Sequence, residues 1–436
     1  MTGALEGIIM GIWPIMFVIV MALFAYNVTT ESGGMKTIQN MLATISTDKR
    51  IIVLIIAWGF GGFLESIAGF GTAVAIAASI LIAFGLDPIR ASVISLIANT
   101  TATAFGAIGL PILTLAEVTN LKQENLSFIV TLQLFVLVLL VPFILVILTE
   151  GSIKAVKGVG LITLMSGLGM AIPQVIAAKF VGAELPAIVG SLCSIAITVL
   201  FTRWHEEEKE PDVERPSMKE MLKACSPFIL VFIFVIFASS LVAPVNNLLS
   251  KATTNLVIYT GKNPNTLAIS PGTLLLISTL IGGTIQGVSF KKMMQILGQC
   301  IKSVWKTTIT VCAIVGLAGP VYPLFAPLIG ALGTFLTGSA TSANVLFGNL
   351  QLSAATDLGV SKYWVVASNM TGTTAGMLSP QNIAVATGAI GREGDEGEIL
   401  KETVKWGSLY LVICCVFLYA VVLVAGNGWK IKICSA

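Results

Sequence analysis

Charge is what this chain has least of. Only 11% of its 436 residues are Asp, Glu, Lys or Arg, against about 25% in soluble domains. Hydrophobic residues make up 56%, and the mean hydropathy is +0.93. A soluble chain of this length would divide into domains with polar surfaces, and too few charges exist to cover them. That excludes a soluble enzyme, and a net charge of +3 excludes nucleic-acid binding by charge alone. Histidine is nearly absent: His205 is the only one, and it sits in the charged run from Arg203 to Glu210. One histidine excludes HExxH zinc sites and bis-histidine haem, and its polar setting argues against a Ser-His dyad. The seven cysteines (Cys193, Cys225, Cys300, Cys312, Cys414, Cys415, Cys434) show no C-x-x-C spacing and read as small apolar side chains. No basic residue precedes Lys36, so the N-terminus lacks the n-region of a signal peptide and 7–26 reads as a retained span.

What is abundant is uninterrupted apolar sequence. Runs nearly free of charge occur at 7–26, 51–85, 91–116, 128–148, 159–178, 185–202, 225–248, 272–290, 307–325, 327–357, 363–390 and 406–426. About 20 such residues cross the hydrocarbon core as a helix. Ten runs fit one span each. Segments 51–85 and 327–357 are too long for one straight helix and too short for two spans with a turn. The first holds Gly59, Gly61, Gly62, Gly69 and Gly71 around Glu65-Ser66; the second holds the polar stretch from Thr337 to Asn344. A hairpin that enters and leaves on one side fits both, provided protein or a water-filled cavity surrounds it. The prediction is an all-α polytopic membrane protein with about 10 transmembrane helices plus two re-entrant hairpins. Counting Lys and Arg on alternate sides gives 18 on one and 7 on the other, which makes the first side cytoplasmic.

The halves then match. Phe63-Leu64 in the first hairpin corresponds to Phe335-Leu336 in the second, Asn99-Thr-Thr to Asn369-Met-Thr, and Pro111 to Pro380. Each hairpin is followed by a helix broken in its middle, over 99–111 and 369–380, and the charge count places the hairpins on opposite sides. The expected organisation is an N-terminal half, 1–202 (hairpin 51–85, broken helix 91–116), a cytoplasmic linker, 203–224, and a C-terminal half, 225–436 (hairpin 327–357, broken helix 363–390). Inverted repeats with broken helices are the layout of secondary transporters, whose substrate sits at the midplane. Segments 36–50 and 291–303 read as interfacial helices, and 391–405 as a solvated loop.

Glu65 is the only ionisable residue between Arg50 and Asp87. A charge at that depth is costly, so an ionisable group there is a functional candidate; lipid disfavours its anionic form until water or an opposing charge reaches it. Residues 307–356 contain no ionisable counterpart, so anion contacts in the second half fall to hydroxyls, amides and backbone N–H groups.

The run from Trp58 to Thr72 (W-G-F-G-G-F-L-E-S-I-A-G-F-G-T) resembles the L-lactate permease family. So do the run from Ala98 to Ile112, the run from Leu336 to Asn344 and Ser379-Pro-Gln-Asn-Ile-Ala384. The similarity runs in order along nearly the whole chain. It departs from the family at Ala340, where an Asp is expected, at Gly376-Met377, where a Lys is expected before the Met, and at prolines expected near Ala73 and Ala102. The family has about two earlier spans, which implies a shortened N-terminus.

The resemblance implies a proton symporter of lactate or a related 2-hydroxymonocarboxylate such as glycolate, multi-pass in the cell membrane and moving as an elevator. Glu65 would carry or gate the proton. Ser66, Gly69, Gly71 and Thr72 would face Ser339, Thr341, Ser342 and Asn344 across the site, and Asn99, Thr100, Thr101, Asn369, Thr371 and Ser379 would complete its lining. The partners implied are a small organic anion, protons and lipid, with no cofactor, metal or nucleic acid; self-association as a homo-oligomer stays open. Sodium coupling to another organic anion is the alternative, since neutral Ser, Thr and Asn oxygens could ligate the ion. An intramembrane enzyme would need a nucleophile–base pair or metal ligands at depth, and the sequence offers neither.

Overall fold

Glycine, proline and capping residues decide where the helices start and stop. The computed structural model describes residues 17–34, 36–38, 46, 48–67, 69, 72–205, 217–238, 244–245, 255–256, 265–266, 271–303, 322–392 and 394–426. These are almost wholly helical; the exception is a two-residue antiparallel pair, Asn255–Leu256 with Asn265–Thr266.

Helix α1 is Phe17–Glu31. Helix α2, Lys49–Ile67, starts where the Asp48 side chain accepts from the Arg50 N–H, which satisfies a donor the first turn leaves free. Its centre, Leu54–Phe60, widens into a π-helix with every residue buried, a geometry that is rare and concentrated at functional sites. Gly69 adopts φ +63°, and helix α3, Thr72–Ala83, follows. Gly71 lies outside the described residues, as does the Thr72 side chain. Asp87 and Pro88 then start helix α4, Pro88–Asn99, the capping pair this position favours. Helix α4 stops at Asn99. A 3₁₀ turn, Ala102–Phe105, follows, and Ala107, Ile108 and Gly109 take φ values of +44°, +58° and +76° before helix α5, Gly106–Thr119, regains helical geometry. A left-handed conformation costs about 1–2 kcal/mol per non-glycine residue, so this break is held in place by its surroundings.

Residues 322–389 show a similar order of elements. Helix α13, Tyr322–Thr337, ends at Gly338 with φ +69°. Ser339 caps helix α14, Ala340–Asp357, and helix α15, Lys362–Thr373, follows. A 3₁₀ turn, Gly376–Leu378, and then helix α16, Pro380–Ala389, complete the interrupted helix. Between α5 and α13 run α6 (Gln123–Glu150), α7 (Gly160–Phe180), α8 (Pro186–His205), α9 (Met218–Ala224), α10 (Ser226–Ala238), α11 (Pro271–Gln286) and α12 (Phe290–Ser303). The last is α17, Glu396–Gly426.

Six helices among the described residues are long and apolar enough to cross a membrane: Lys49–Ile67, Ala102–Thr119, Gln123–Glu150, Gly160–Phe180, Pro186–Trp204 and Glu396–Val422. The runs 7–26, 225–248 and 307–325 fall partly outside the described residues. Two expectations change. Residues 396–405, expected in a solvated loop, form the first turns of α17, where Glu396 and Glu398 favour the positive end of the helix dipole. The linker contains α9, started by a reciprocal capping box between Ser217 and Glu220.

By internal contacts the chain divides into two units. One is Met1–Ser46, Ile67–Phe70 and Lys209–Val311; the other is Thr47–Ser66, Gly71–Glu208 and Cys312–Ala436. In the first, α11 packs on α1 and α10, Gln286 donates to the Ala224 carbonyl at 2.8 Å, and Lys292 pairs with Glu31 at 3.0 Å. In the second, α13, α14 and α15 pack on one another around buried Ala326, Ala354, Ala355, Val365 and Leu418. A Cβ on Gly372 would lie 2.8 Å from Pro327 Cα, so only glycine lets α15 approach α13 this closely.

Candidate functional site

Glu65 comes five residues after the end of the π-helical stretch at Phe60 and is 3% exposed. Its carboxyl has the Asn99 side chain as a hydrogen-bonding neighbour and rests against the backbone of Gly106, where a Cβ would lie 2.9 Å from Oε1. Helix α2 therefore delivers the Glu65 carboxyl into the break of the first interrupted helix. Oε2 is buried without a hydrogen-bond partner among the described residues.

Asn99 also lines a narrow cleft, together with Thr100 and Thr103 from the first break and Thr374, Gly376, Met377 and Asn382 from the second; Val74 and Leu96 close it. The cleft thus lies where the two interrupted helices meet. Its polar walls are neutral hydroxyls and amides. Thr103 Oγ1 accepts from Asn99 Nδ2 at 3.2 Å, Thr374 Oγ1 donates to the Thr371 carbonyl at 2.6 Å, and Asn382 Nδ2 donates to the Gly376 carbonyl at 2.9 Å. Behind the cleft the hydroxyls of Tyr410 and Thr374 are hydrogen-bonded. Because the Thr374 proton is engaged by Thr371, Tyr410 is the donor in that pair.

A second set of polar side chains ties the second hairpin to both breaks. Asn344 Nδ2 donates to the Pro111 carbonyl at 2.9 Å and lies 3.0 Å from Met370 Sδ. Asn369 Nδ2 donates to Asn344 Oδ1 at 2.8 Å, and Gln351 Nε2 donates to Asn369 Oδ1 and the Ala326 carbonyl, both at 3.0 Å. Nearby, Thr371 Oγ1 donates to Gln133 Oε1 at 2.5 Å, and Gln133 Nε2 to the Trp364 carbonyl at 2.9 Å. All five side chains are buried. Buried polar groups held this way specify one arrangement, since losing a partner leaves a desolvated group behind.

The expected site residues therefore separate. Glu65, Asn99 and Thr100 gather at the cleft, while Asn344, Asn369 and Thr371 belong to the buried network. Ser339 spends its side chain on the Ser342 N–H, at 3.3 Å, and Thr341 and Ser342 lie buried in the first turn of α14. Ser66 Oγ donates to the Phe63 carbonyl at 2.7 Å. Thr101 and Ser379 are buried with hydroxyls that lack a partner among the described residues. Sequence reasoning missed Thr103, Thr374 and Asn382, although they fall in or beside the broken stretches it had marked. It also missed Gln133, Gln351 and Tyr410. Gln133 did leave a signal, as the one amide in the apolar run 128–148.

Six helices long and apolar enough to cross a membrane, two interrupted helices that meet at a polar cleft and one buried carboxyl beside it describe an integral membrane protein. The family model described as L-lactate permease matches residues 1–425. The L-lactate permease of Streptococcus iniae is 51% identical over 393 residues, 84% of this chain and 83% of that one. The glycolate permease GlcA of Escherichia coli (strain K12) is 32% identical over 93% of this chain and 84% of its own length. The L-lactate permease of Bacillus subtilis (strain 168) is 30% identical over 96% and 86%. The chain belongs to the L-lactate permease family.

Proposed function

We propose that this permease imports a small 2-hydroxymonocarboxylate, lactate or glycolate, across the cell membrane by proton symport, with elevator-type movement of the hairpin-bearing elements. The observation that carries the reading is the position of Glu65 beside Asn99, one side chain away from a polar cleft formed by both interrupted helices. The names of the relatives, lactate and glycolate permeases, supply the substrate class.

The chemistry follows from what the site has and lacks. Among the described residues the cleft walls carry hydroxyls and amides and no cationic side chain, so a carboxylate there is held by neutral donors. Adding a second anion next to it is unfavourable at low dielectric. A proton on Glu65 removes that second charge, so substrate and proton favour each other's binding, which is thermodynamic coupling. Asn99 borders both groups and can sense the protonation state of one and the occupancy of the other. Loading stabilises the folded protein by an amount that rises with the logarithm of ligand concentration over Kd. A thermal-shift screen of purified protein with lactate, glycolate, malate and acetate is therefore expected to select the two 2-hydroxymonocarboxylates, and saturable uptake of labelled lactate to be competed by glycolate. Selection of malate alone would overturn the substrate assignment.

Sodium coupling is the second reading. It draws support from buried oxygens without a partner among the described residues, Gln351 Oε1 and Ser379 Oγ among them. Replacing sodium by choline during uptake separates the two: proton coupling predicts no change.

A further inference from the structure

The face of α2 that bears Glu65 is also lined by polar atoms that the substrate cleft does not use. Gly62 stands three residues before Glu65 in a regular helical stretch, so their Cβ positions are about 5–6 Å apart on one face. A Cβ at Gly62 would meet Ser191 Oγ at 2.8 Å, Met170 Cε at 3.3 Å and Ala102 Cβ at 3.8 Å. Ser191 Oγ is therefore seated against bare backbone, one helical turn from the carboxyl. Gly190, beside it on α8, faces Gln174 of α7, whose Cγ would lie 2.6 Å from a Cβ there. Glu65, Ser191 and Gln174 are each at most 3% exposed. Glu65 Oε2, Ser191 Oγ and Gln174 Nε2 all lack a hydrogen-bond partner among the described residues. Buried polar atoms are nearly always satisfied, by protein or by ordered water, and the close approaches at Gly62 and Gly190, which put Ser191 against α2 and Gln174 against α8, mark one seam.

We propose that this seam, between α2 and the α7–α8 pair, is a hydrated proton path to Glu65 that is separate from the substrate cleft. The inference rests on the proton-symport reading. A proton passed along hydrogen-bonded water converts the Glu65 carboxylate to the neutral acid at Oε2. The same proton leaves from Oε2 when the carrier unloads, so nothing else is consumed. The path is short. Gln174 is about 9 Å along the helix from the Phe180 end of α7, and Ser191 about 8 Å from the Pro186 end of α8. Those ends are the ones the basic-residue count places outside. Lys179 and Glu184 lie at that end, Lys179 over the Phe128 and Phe180 rings and Glu184 accepting from Gln123 at 3.0 Å. On the seam itself Glu65 is the one titratable group among the described residues.

The test uses full-length protein in proteoliposomes with two assays. One is lactate accumulation driven by an imposed pH gradient; the other is lactate exchange at equal pH, which needs no net proton movement. Ser191→Ala and Gln174→Leu are expected to lower gradient-driven uptake about tenfold or more, the scale of losing a positioned proton carrier, and to leave exchange near wild type. Ser191→Thr, which keeps the hydroxyl, should restore uptake, and Gly62→Ala should reproduce the loss by filling the seam. Equal loss of both activities, or normal gradient-driven uptake in Ser191→Ala and Gln174→Leu while Glu65→Gln is defective, would overturn the path and leave proton coupling standing. Wild-type uptake indifferent to the gradient would overturn path and coupling together.

Discussion

Replacing Asn344 with Leu keeps most of the side-chain volume and removes its polar contacts: donation to the Pro111 carbonyl at 2.9 Å, the 3.0 Å approach to Met370 sulfur and acceptance from Asn369 at 2.8 Å. Two groups are left without these partners in a region with no solvent access, the Pro111 carbonyl and the Asn369 amide. A buried group stranded in this way costs about 1–3 kcal/mol, so the variant should lose about 2–6 kcal/mol. Hydrogen bonds between membrane helices average nearer 0.6 kcal/mol in double-mutant cycles, which favours the lower end. Thermal unfolding in detergent, with Asn369→Leu and the double variant measured in parallel, reads both the loss and the coupling. The network predicts non-additivity of about 0.5–2 kcal/mol between the two sites. Strict additivity, or an Asn344→Leu protein as stable as wild type, would refute the claim that these amides clamp the second hairpin to the first interrupted helix.

Four further outcomes follow from local geometry. Gly372→Ala drives a methyl to 2.8 Å from Pro327 Cα; overpacking of this kind costs about 1–3 kcal/mol, seen as a lower yield of monodisperse protein. Arg50→Met removes guanidinium donation to the Ala155 and Lys157 carbonyls at 2.8 and 3.1 Å. Bonds from a charged donor are worth about 1.5–3 kcal/mol each, so limited proteolysis at 151–159 should accelerate. Tyr410→Phe deprives Thr374 of its donor behind the cleft and should raise KM about fivefold, the equivalent of about 1 kcal/mol, with the maximal rate little changed. The Glu220 carboxylate is held below its ordinary value of 4.5 by the Ser217 N–H and hydroxyl. Its support of α9 is complete above the ordinary value and disappears as pH falls through the lowered one, so amide exchange at the start of α9 should speed up only under acid conditions.

Much of this architecture was written in glycine, proline and serine. The glycines about Glu65 and the hydroxyl-rich stretch from Thr337 to Asn344 marked the helix ends at Ile67 and Thr337, because apolar helices have no use for such residues unless they bend or pack closely. Pro111 and Pro380 marked both interruptions for the same reason. Other features left no such trace. The π-helical turn at Leu54–Phe60 is composed of ordinary apolar residues, and its widening depends on what packs around it. The left-handed run at Ala107 and Ile108 runs against residue preference and exists only because tertiary contacts hold it. Residues 396–405 looked like a loop because charge density was read as solvent exposure; an exposed helical extension has the same composition. Pattern alone also grouped Ser339 and Ser342 with the binding residues, whereas Ser339 is occupied in capping the helix that contains Ser342. The amide partners of Asn369 and Thr371 came from Gln351 and Gln133, residues distant in sequence that only the packed structure could bring together.

The central claim is that Glu65 couples a proton to carboxylate movement. It is tested most directly by lactate accumulation in proteoliposomes after an acid pulse outside, comparing wild type with Glu65→Gln. The account predicts accumulation against the lactate gradient in wild type. In Glu65→Gln, whose amide mimics the protonated acid and cannot release a proton, it predicts loss of that accumulation with lactate exchange retained. Accumulation by Glu65→Gln at the wild-type level would contradict it.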